Sequence, residues 1–368
     1  MKYFIIAGEA SGDLHGANLV NALTLLDASA QCRGWGGDNM VAAGVDLREH
    51  YKNTAFMGFV EVVLHLRKII GFLSQCKKDI TAFQPDALIL IDYPGFNLRI
   101  AKWAAQRGIH VIYYITPQVW AWHTSRVHLL GKYTHLLLTI LPFESAFFAR
   151  YGYKSHFVGH PLLDALQRFQ RDPSFEQIHT SDQQVIALLP GSRKQEIKFI
   201  LPVMLEAISG RHEKIILAGA PSIPDSIYLP ILHQYDPDRK VELIKNKTYD
   251  ILSIARSALV GSGTATLEAA LFKVPQVVCY KASSLSYAIA KRLVKLPYIS
   301  LVNLISGKKI VTELIQGDLQ AGQLRKELEL LDKNREEMLA GYASLIELLG
   351  SKGASERAAR LIVESLKK

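Results

Sequence analysis

Residues 185–197, Val-Ile-Ala-Leu-Leu-Pro-Gly-Ser-Arg-Lys-Gln-Glu-Ile, decide how the chain is read. Five consecutive apolar residues, Val185–Leu189, predict a strand buried on both faces. Pro190-Gly191-Ser192 breaks the run as a tight turn, and Gln195–Leu205 has the composition of a helix. Strand, glycine turn and helix start together present backbone N–H groups to an anion, with the helix dipole in support. Arg193 adds a fixed charge whose planar fork suits two phosphates. An ordinary strand-to-helix turn with a surface arginine would read the same way, and this stretch alone leaves both open.

Working outward, 368 residues favour two domains over one, and with 49% apolar and 21% charged residues each half can bury a core. No apolar run reaches about 18 residues, so no membrane span is expected. The opening Met1–Gly8 is too short for a signal segment and is followed by Glu9 and Asp13, so it reads as a first buried strand. Cys32, Cys76 and Cys279 are scattered without metal spacing, which fits a reduced cytoplasmic compartment. The net charge of +9 suits an anionic partner: nucleic acid, a phosphorylated substrate or an acidic membrane face. No helix-turn-helix, zinc finger or RNA-binding aromatic motif is present, so nucleic acid is not expected.

The first half starts with strand Lys2–Ala7, a turn Gly8-Glu9-Ala10-Ser11-Gly12-Asp13 and helix Leu14–Leu26, a Rossmann-like opening. A glutamate in the turn disfavours a pyrophosphate, so the glycines suit a neutral, hydroxyl-rich group such as a sugar; packing glycines with a cap at Ser11 or Asp13 is the alternative. Phe56–Leu73 is apolar at helical spacing and flanked by basic residues. It fits a core helix and a lipid-facing one equally. Ala87–Asn97 reads as a strand ending at Asp92 and a Pro-Gly turn. A carboxylate just past a parallel strand lies where α/β folds place ligands and can act as a general base, although a turn cap would look alike. Strand His110–Ile115 precedes Pro117-Gln118-Val119-Trp120-Ala121-Trp122-His123, whose rings either pack on a sugar or plug the domain. Strand Leu136–Ile140, a helix start at Leu141-Pro142-Phe143-Glu144 and a last strand and turn at Phe157–Pro161 complete this half.

Residues 167–184 are polar and irregular and read as a linker. The pattern then restarts at Val185, with strands at Ile215–Gly219, Lys240–Ile244, Ala258–Val260 and Gln276–Tyr280. Gly261-Ser262-Gly263-Thr264 runs into a second glycine-rich helix start. Glu268, one turn further, is placed to accept both hydroxyls of a ribose. Tyr287–Leu296 is an amphipathic basic helix, by default a solvated face and otherwise a contact with an anionic membrane surface. Leu319–Lys368 reads as helices without a site. They either return to the first domain or exchange with a partner chain in a homodimer.

Taken in order, Gly8–Asp13, Met57–Val62, Ile91–Asn97, Pro117–Trp122, Leu141–Glu144, Val158–Asp164, Leu188–Arg193, Gly261–Glu268 and Ala290–Ile305 resemble the lipid-A-disaccharide synthase family. The resemblance covers nearly the whole chain. It implies an α/β fold of two Rossmann-like domains with parallel sheets facing across a cleft (GT-B). The boundaries expected are 1–166 for the acceptor domain, 167–184 for the linker, 185–345 for the UDP-sugar domain and 346–368 for a C-terminal helix. It implies an inverting hexosyltransferase that joins UDP-2,3-diacylglucosamine to 2,3-diacylglucosamine 1-phosphate, peripheral on the cytoplasmic face of the inner membrane. Asp92 would be the base for the acceptor's 6-hydroxyl and Arg193 would stabilise the leaving diphosphate. Gly191, Ser192, Gly261, Ser262, Gly263, Thr264, Glu268 and Asn303 would bind the UDP-sugar. Gly8, Glu9, Ser11, Gly12, Asp13 and Met57 would line the acceptor side. Tyr93 and Gly95 stand where some relatives carry Ala and Asp. No cofactor or metal is expected, because helix N-termini and Arg193 can stabilise the diphosphate and no DxD motif occurs. The rival readings are a UDP-GlcNAc 2-epimerase-like enzyme and a non-catalytic UDP-sugar-binding module.

Overall fold

The computed structural model describes residues 1–54, 66–121, 124–180, 183–283, 287–288, 291–292 and 296–367. The chain divides into two compact units, Met1–Gln167 with Leu349–Lys368, and Arg168–Leu348.

In the first unit, strands β1 (Lys2–Ala7), β2 (Gln31–Gly36), β3 (Asp46–His50), β4 (Ala87–Ile91), β5 (His110–Tyr114), β6 (Leu136–Thr139) and β7 (His156–Phe157) are ordered β3-β2-β1-β4-β5-β6-β7. All the pairings are parallel. The central strands β1, β4 and β5 are apolar apart from Lys2 and His110 at their starts, because helices cover both faces. One layer joins Ile5, Ile89 and Ile112 to Leu19 and Leu23. The other joins Phe4, Leu88 and Tyr113 to Cys76, Ile80 and Ile100. The first of these layers is closed by the last helix of the chain, Ala354–Leu366, through Ala358, Ala359, Ile362 and Val363. The C-terminal helix thus returns to the first unit of its own chain. Asp164 fixes its start, accepting from the backbone N–H groups of Gly353 (2.6 Å) and Ser355 (3.0 Å).

In the second unit, β8 (Val185–Leu189), β9 (Lys214–Gly219), β10 (Val241–Lys245), β11 (Ala255–Gly261), β12 (Gln276–Tyr280) and β13 (Thr312–Ile315) are ordered β10-β9-β8-β11-β12-β13. All these pairings are parallel as well. Part of the stretch expected to be an irregular linker belongs to this unit. Pro173–Thr180 is helical, with Asp172 accepting from Ser174 N at 3.1 Å and Phe175 buried in the core beside Val185 and Ile251. An Asp cap and one buried phenylalanine outweigh the polar composition.

Two further expectations shift. The helix after β1 begins at Ala10, so most of the expected turn Gly8–Asp13 is already helical. The Pro-Gly pair after β4 is the first turn of helix Pro94–Ala105, with proline where its missing N–H costs nothing. Of Phe56–Leu73, only residues 66–73 are described. They open helix Leu66–Phe83, whose later turns bury Cys76, Ile80 and Phe83 while Ile70 is exposed. Met57, Trp122 and His123 lie outside the described residues, as does half of Tyr287–Leu296.

Candidate active site

Each sheet reverses its strand order once, at β1/β4 in the first unit and at β8/β11 in the second. Loops at the carboxyl ends of such neighbours diverge and leave a crevice, the usual ligand position in open α/β sheets. The expected motifs sit at these two points.

At β1/β4, Gly8 is buried directly against the ring of Tyr93, and a Cβ at Gly8 would overlap that ring. The close approach is what requires glycine here. Tyr93 stacks on Phe96 with ring centroids 5.5 Å apart. Burial, reinforced by the charge of Glu9, pushes the Tyr93 hydroxyl up to about 12. Glu9 is the N-cap residue of helix Ala10–Leu26, and Ser11 is exposed in its first turn. Gly12 lies buried over Ala7 and Ile91. Asp13 does something different from lining an acceptor. Its buried carboxylate accepts from Gly37 N (2.7 Å), Met40 N (3.1 Å), Asn39 N (3.0 Å) and Asn39 Nδ2 (2.9 Å). It thereby caps the short helix Asp38–Ala42 and shapes the loop after β2.

Asp92 is exposed immediately after β4. Asp92 and Tyr93 both have left-handed backbones, with φ of 43° and 50°, and Ile115 after the neighbouring β5 has φ of 61°. Aspartate tolerates this region, whereas tyrosine and β-branched isoleucine are outliers in it. Each such residue costs about 1–3 kcal/mol and persists only where its surroundings over-determine it. Here the main chain of Asp92 is held from both sides. Its N–H donates to Ile115 O at 3.1 Å, and its carbonyl accepts from Tyr113 Oη at 2.6 Å and Asn97 Nδ2 at 2.8 Å.

Trp120 is half-buried, edge-on to Phe143 at 4.9 Å, and its Nε1 donates to Glu144. Of the two roles open to it, the described geometry makes Trp120 a plug that ties two loops together.

At β8/β11, the Ser192 and Arg193 backbone N–H groups stand at the start of helix Lys194–Ile208, as the sequence indicates. Glu196 of that helix folds back over them. Its Oε2 accepts from Ser192 N (3.2 Å) and Arg193 N (3.3 Å), and its Oε1 from Arg193 Nη1 (3.4 Å). A carboxylate therefore sits on the N–H groups expected to meet a diphosphate, and the long distances and the exposure of Arg193 make this a weak hold. Gly191, with φ of 120°, packs against this same side chain. Gly261 abuts the backbone of Pro190 and Gly191, leaving a Cβ only 3.0 Å from the Pro190 carbonyl carbon. That contact joins the two glycine loops into one surface. Ser262 N donates to Cys279 O at 3.2 Å, and Gly263 and Thr264 are exposed at the start of helix Thr264–Leu271.

Glu268 lies one turn into that helix. Burial pushes its carboxyl up to about 7, with a hydrogen bond from Tyr249 pulling the other way. Phe272 flanks Tyr249 at 5.3 Å and Phe169 closes the trio. Asn303 departs from expectation. It is fully buried, its Nδ2 donates to Val311 O and Glu313 Oε1 (2.9 Å each), and its Oδ1 accepts from Ile310 N (2.7 Å) and Val311 N (3.0 Å). All four hydrogen-bonding positions of an amide are used. The side chain therefore builds the connection into β13 and has none left for a nucleotide.

Sequence reasoning missed Tyr113, Asn97, Glu196 and Tyr249. Only Glu196 carried a local signal, a carboxylate three residues after the helix N-cap. Among the described residues, no group of three or more His, Cys, Asp or Glu side chains could hold a metal ion. No helix among them is long and apolar enough to cross a membrane.

Two Rossmann-like units with parallel sheets, each with its motifs at the strand-order reversal, define the GT-B class, and solved structures agree. S. aureus MnaA in its co-structure with UDP aligns with a TM-score of 0.70 at 13% identity, covering 100% of this chain and 97% of that one. The calicheamicin glycosyltransferase CalG4 aligns at 0.63 and 17%, covering 100% and 98%. The sequence profile described as lipid-A-disaccharide synthetase matches residues 3–362. The lipid-A-disaccharide synthase of Syntrophus aciditrophicus is 41% identical over 99% of this chain and 97% of its own length. That of Geobacter sulfurreducens is 38% identical over 100% and 98%. The chain belongs to the lipid-A-disaccharide synthetase family, and it is a glycosyltransferase of lipid A biosynthesis.

Proposed function

We propose that this enzyme transfers the 2,3-diacylglucosaminyl group of its UDP donor to the 6-hydroxyl of 2,3-diacylglucosamine 1-phosphate, inverting the anomeric centre and releasing UDP. Asp92 takes the hydroxyl proton as the oxygen attacks. The observation that carries this reading is an exposed carboxylate at a strand-order reversal, on a backbone held left-handed at Asp92 and Tyr93. Strain concentrated at one point suits a group whose aim matters. Arg193, the N–H groups of Ser192 and Arg193, and the helix start at Thr264 receive the β-phosphate as it gains charge, once Glu196 moves aside. Glu268 accepts from the ribose hydroxyls. Gly8, Glu9 and Tyr93 line the acceptor side.

Acylated and phosphorylated substrates call for an anionic membrane surface, and the net charge of +9 with the exposed Ile70 beside Lys68 supports one. Peripheral binding at the cytoplasmic face of the inner membrane is part of this reading.

The test is UDP release from UDP-2,3-diacylglucosamine in mild detergent, with and without the acceptor, in chelator and with magnesium. Acceptor-dependent release with a disaccharide product is expected. UDP binding without turnover in either condition would sink the reading and leave a UDP-sugar enzyme of another specificity. Asp92→Asn should keep UDP affinity and lose roughly 10²–10⁴-fold in kcat, the usual worth of a general base. Full activity in that variant would refute the base assignment.

A further inference from the structure

We propose that Tyr113 and Asn97 are positioning residues for glycosyl transfer: they clamp the carbonyl of Asp92 and so hold its left-handed backbone. The proposal rests on Asp92 being the base. Tyr113 lies inside β5, paired beside Leu90, and is fully buried. A tyrosine in a covered parallel strand adds nothing to packing that phenylalanine lacks, so its hydroxyl needs a reason. That hydroxyl donates to Asp92 O at 2.6 Å. Asn97, also fully buried, donates from Nδ2 to the same oxygen at 2.8 Å and to Ile91 O at 3.1 Å.

Two donors on one carbonyl, with the Asp92 N–H bonded to Ile115 O, fix the peptide on both sides of the Asp92 α-carbon. The clamp acts where φ is positive at two consecutive non-glycine residues, a conformation that local preference would undo. Released, Asp92 relaxes toward an extended backbone and its carboxylate moves by an ångström or more. A misplacement of that size is enough to cost about 100-fold in rate.

The experiment compares Tyr113→Phe, Asn97→Ala and Asp92→Asn, reading kcat and donor KM by UDP release, UDP affinity by calorimetry and the thermal midpoint. Tyr113→Phe and Asn97→Ala should each lower kcat about 10- to 100-fold, with donor KM and UDP affinity within about twofold of wild type. A bond that only supports the fold would lower the midpoint and leave kcat alone, which overturns the proposal. So would loss of the fold in both variants. If Asp92→Asn is inactive while Tyr113→Phe and Asn97→Ala turn over normally, the clamp falls and the base stands. If Asp92→Asn is active, the base falls and the clamp with it.

Discussion

The indole Nε1 of Trp120 donates to the carboxylate of Glu144 at 3.2 Å, and through this bond the loop after β5 is fastened to the loop after β6. Glu144 is buried and also accepts from Thr116 Oγ1 (3.2 Å), Ile140 N (3.1 Å) and Leu141 N (2.9 Å). Two stretches singled out in the sequence thus meet in one hydrogen-bonded unit, through Trp120 of the first and Leu141 and Glu144 of the second. Glu144→Leu removes the acceptor and strands four buried or half-buried donors, each costing about 1–3 kcal/mol. The expected result is a loss of at least about 3 kcal/mol in chemical unfolding, against a smaller loss for Trp120→Phe. Near-equal stability of Glu144→Leu and wild type would disprove the role.

Gly8→Ala should act through Tyr93. The new methyl group overlaps the Tyr93 ring, which must leave its stack on Phe96 and drag the backbone beside Asp92 with it. Turnover should fall at least about tenfold while UDP affinity, assigned to the other unit in the proposed function, stays unchanged. Tyr93→Ala removes the obstacle, so the double variant should recover most of what Gly8→Ala loses relative to Tyr93→Ala alone. Strictly additive losses would show that the two residues do not meet.

UDP affinity should depend on pH through Glu268. Burial pushes its carboxyl up to about 7, and in the proposed complex ribose hydroxyls donate to the ionised form. Binding then expels a proton below pH 7, so affinity should fall about tenfold per unit as the pH drops below that value, and level off above it. Glu268→Gln should bind more weakly at pH 8 and lose the dependence. A flat profile from pH 5.5 to 8 in the wild type would remove Glu268 from the ribose.

Acid should loosen the first unit in a defined window. His15 and His160 are buried, and burial lowers them to about 4 and about 3; the Asp164 carboxylate opposes the shift at His15, and His15 itself adds to the shift at His160. Both ordinarily titrate near 6.5, so the unfolded chain binds the protons first. The stability they permit is complete above pH 6.5 and declines as pH falls toward 4, by about 3 kcal/mol for His15 alone. His15→Leu should flatten that part of the stability–pH curve, as measured by urea unfolding. An unaltered slope would mean that His15 is not the group that titrates.

Much of the fold was legible because central parallel strands are largely apolar: β1, β4 and β8 show themselves as short hydrophobic runs followed by glycine, aspartate or proline. Two of the edge strands, β3 and β13, did not, although β7 and β10 at the opposite edges were read. β3 reads Asp-Leu-Arg-Glu-His, and β13 is four residues long. A strand paired on one side only has no need of an apolar sequence, and its polarity even protects the edge. The helix starts at Ala10 and Pro94 were hidden for another reason. Glycine and proline announce a break, yet both also occur inside a first turn.

The motifs drew attention to the loops at the two strand-order reversals, but not to what individual residues do there. Asp13 and Asn303 carry the chemistry of ligand-binding groups, but their hydrogen bonds are spent on backbone brought close by the fold, at Gly37–Met40 and Ile310–Val311. Those partners lie 24–27 and 7–8 residues away. Nothing in a linear pattern distinguishes a carboxylate that caps a distant helix from one that awaits a substrate. The clamp on Asp92 was invisible for the same reason: Tyr113 is 21 residues from the carbonyl it holds.

The helix Ala354–Leu366 completes the core begun by β1, so the first unit lacks a wall until residues 354–366 have been made. On the ribosome, the segment 168–348 has all of its own sheet before this happens and can fold as a unit. The unit that is begun first is therefore completed only after residues 168–348 have been made, and until then the core around Leu19, Leu23 and Ile112 lacks its covering helix. A stalled or truncated chain should behave as a chaperone substrate rather than as a half-active enzyme.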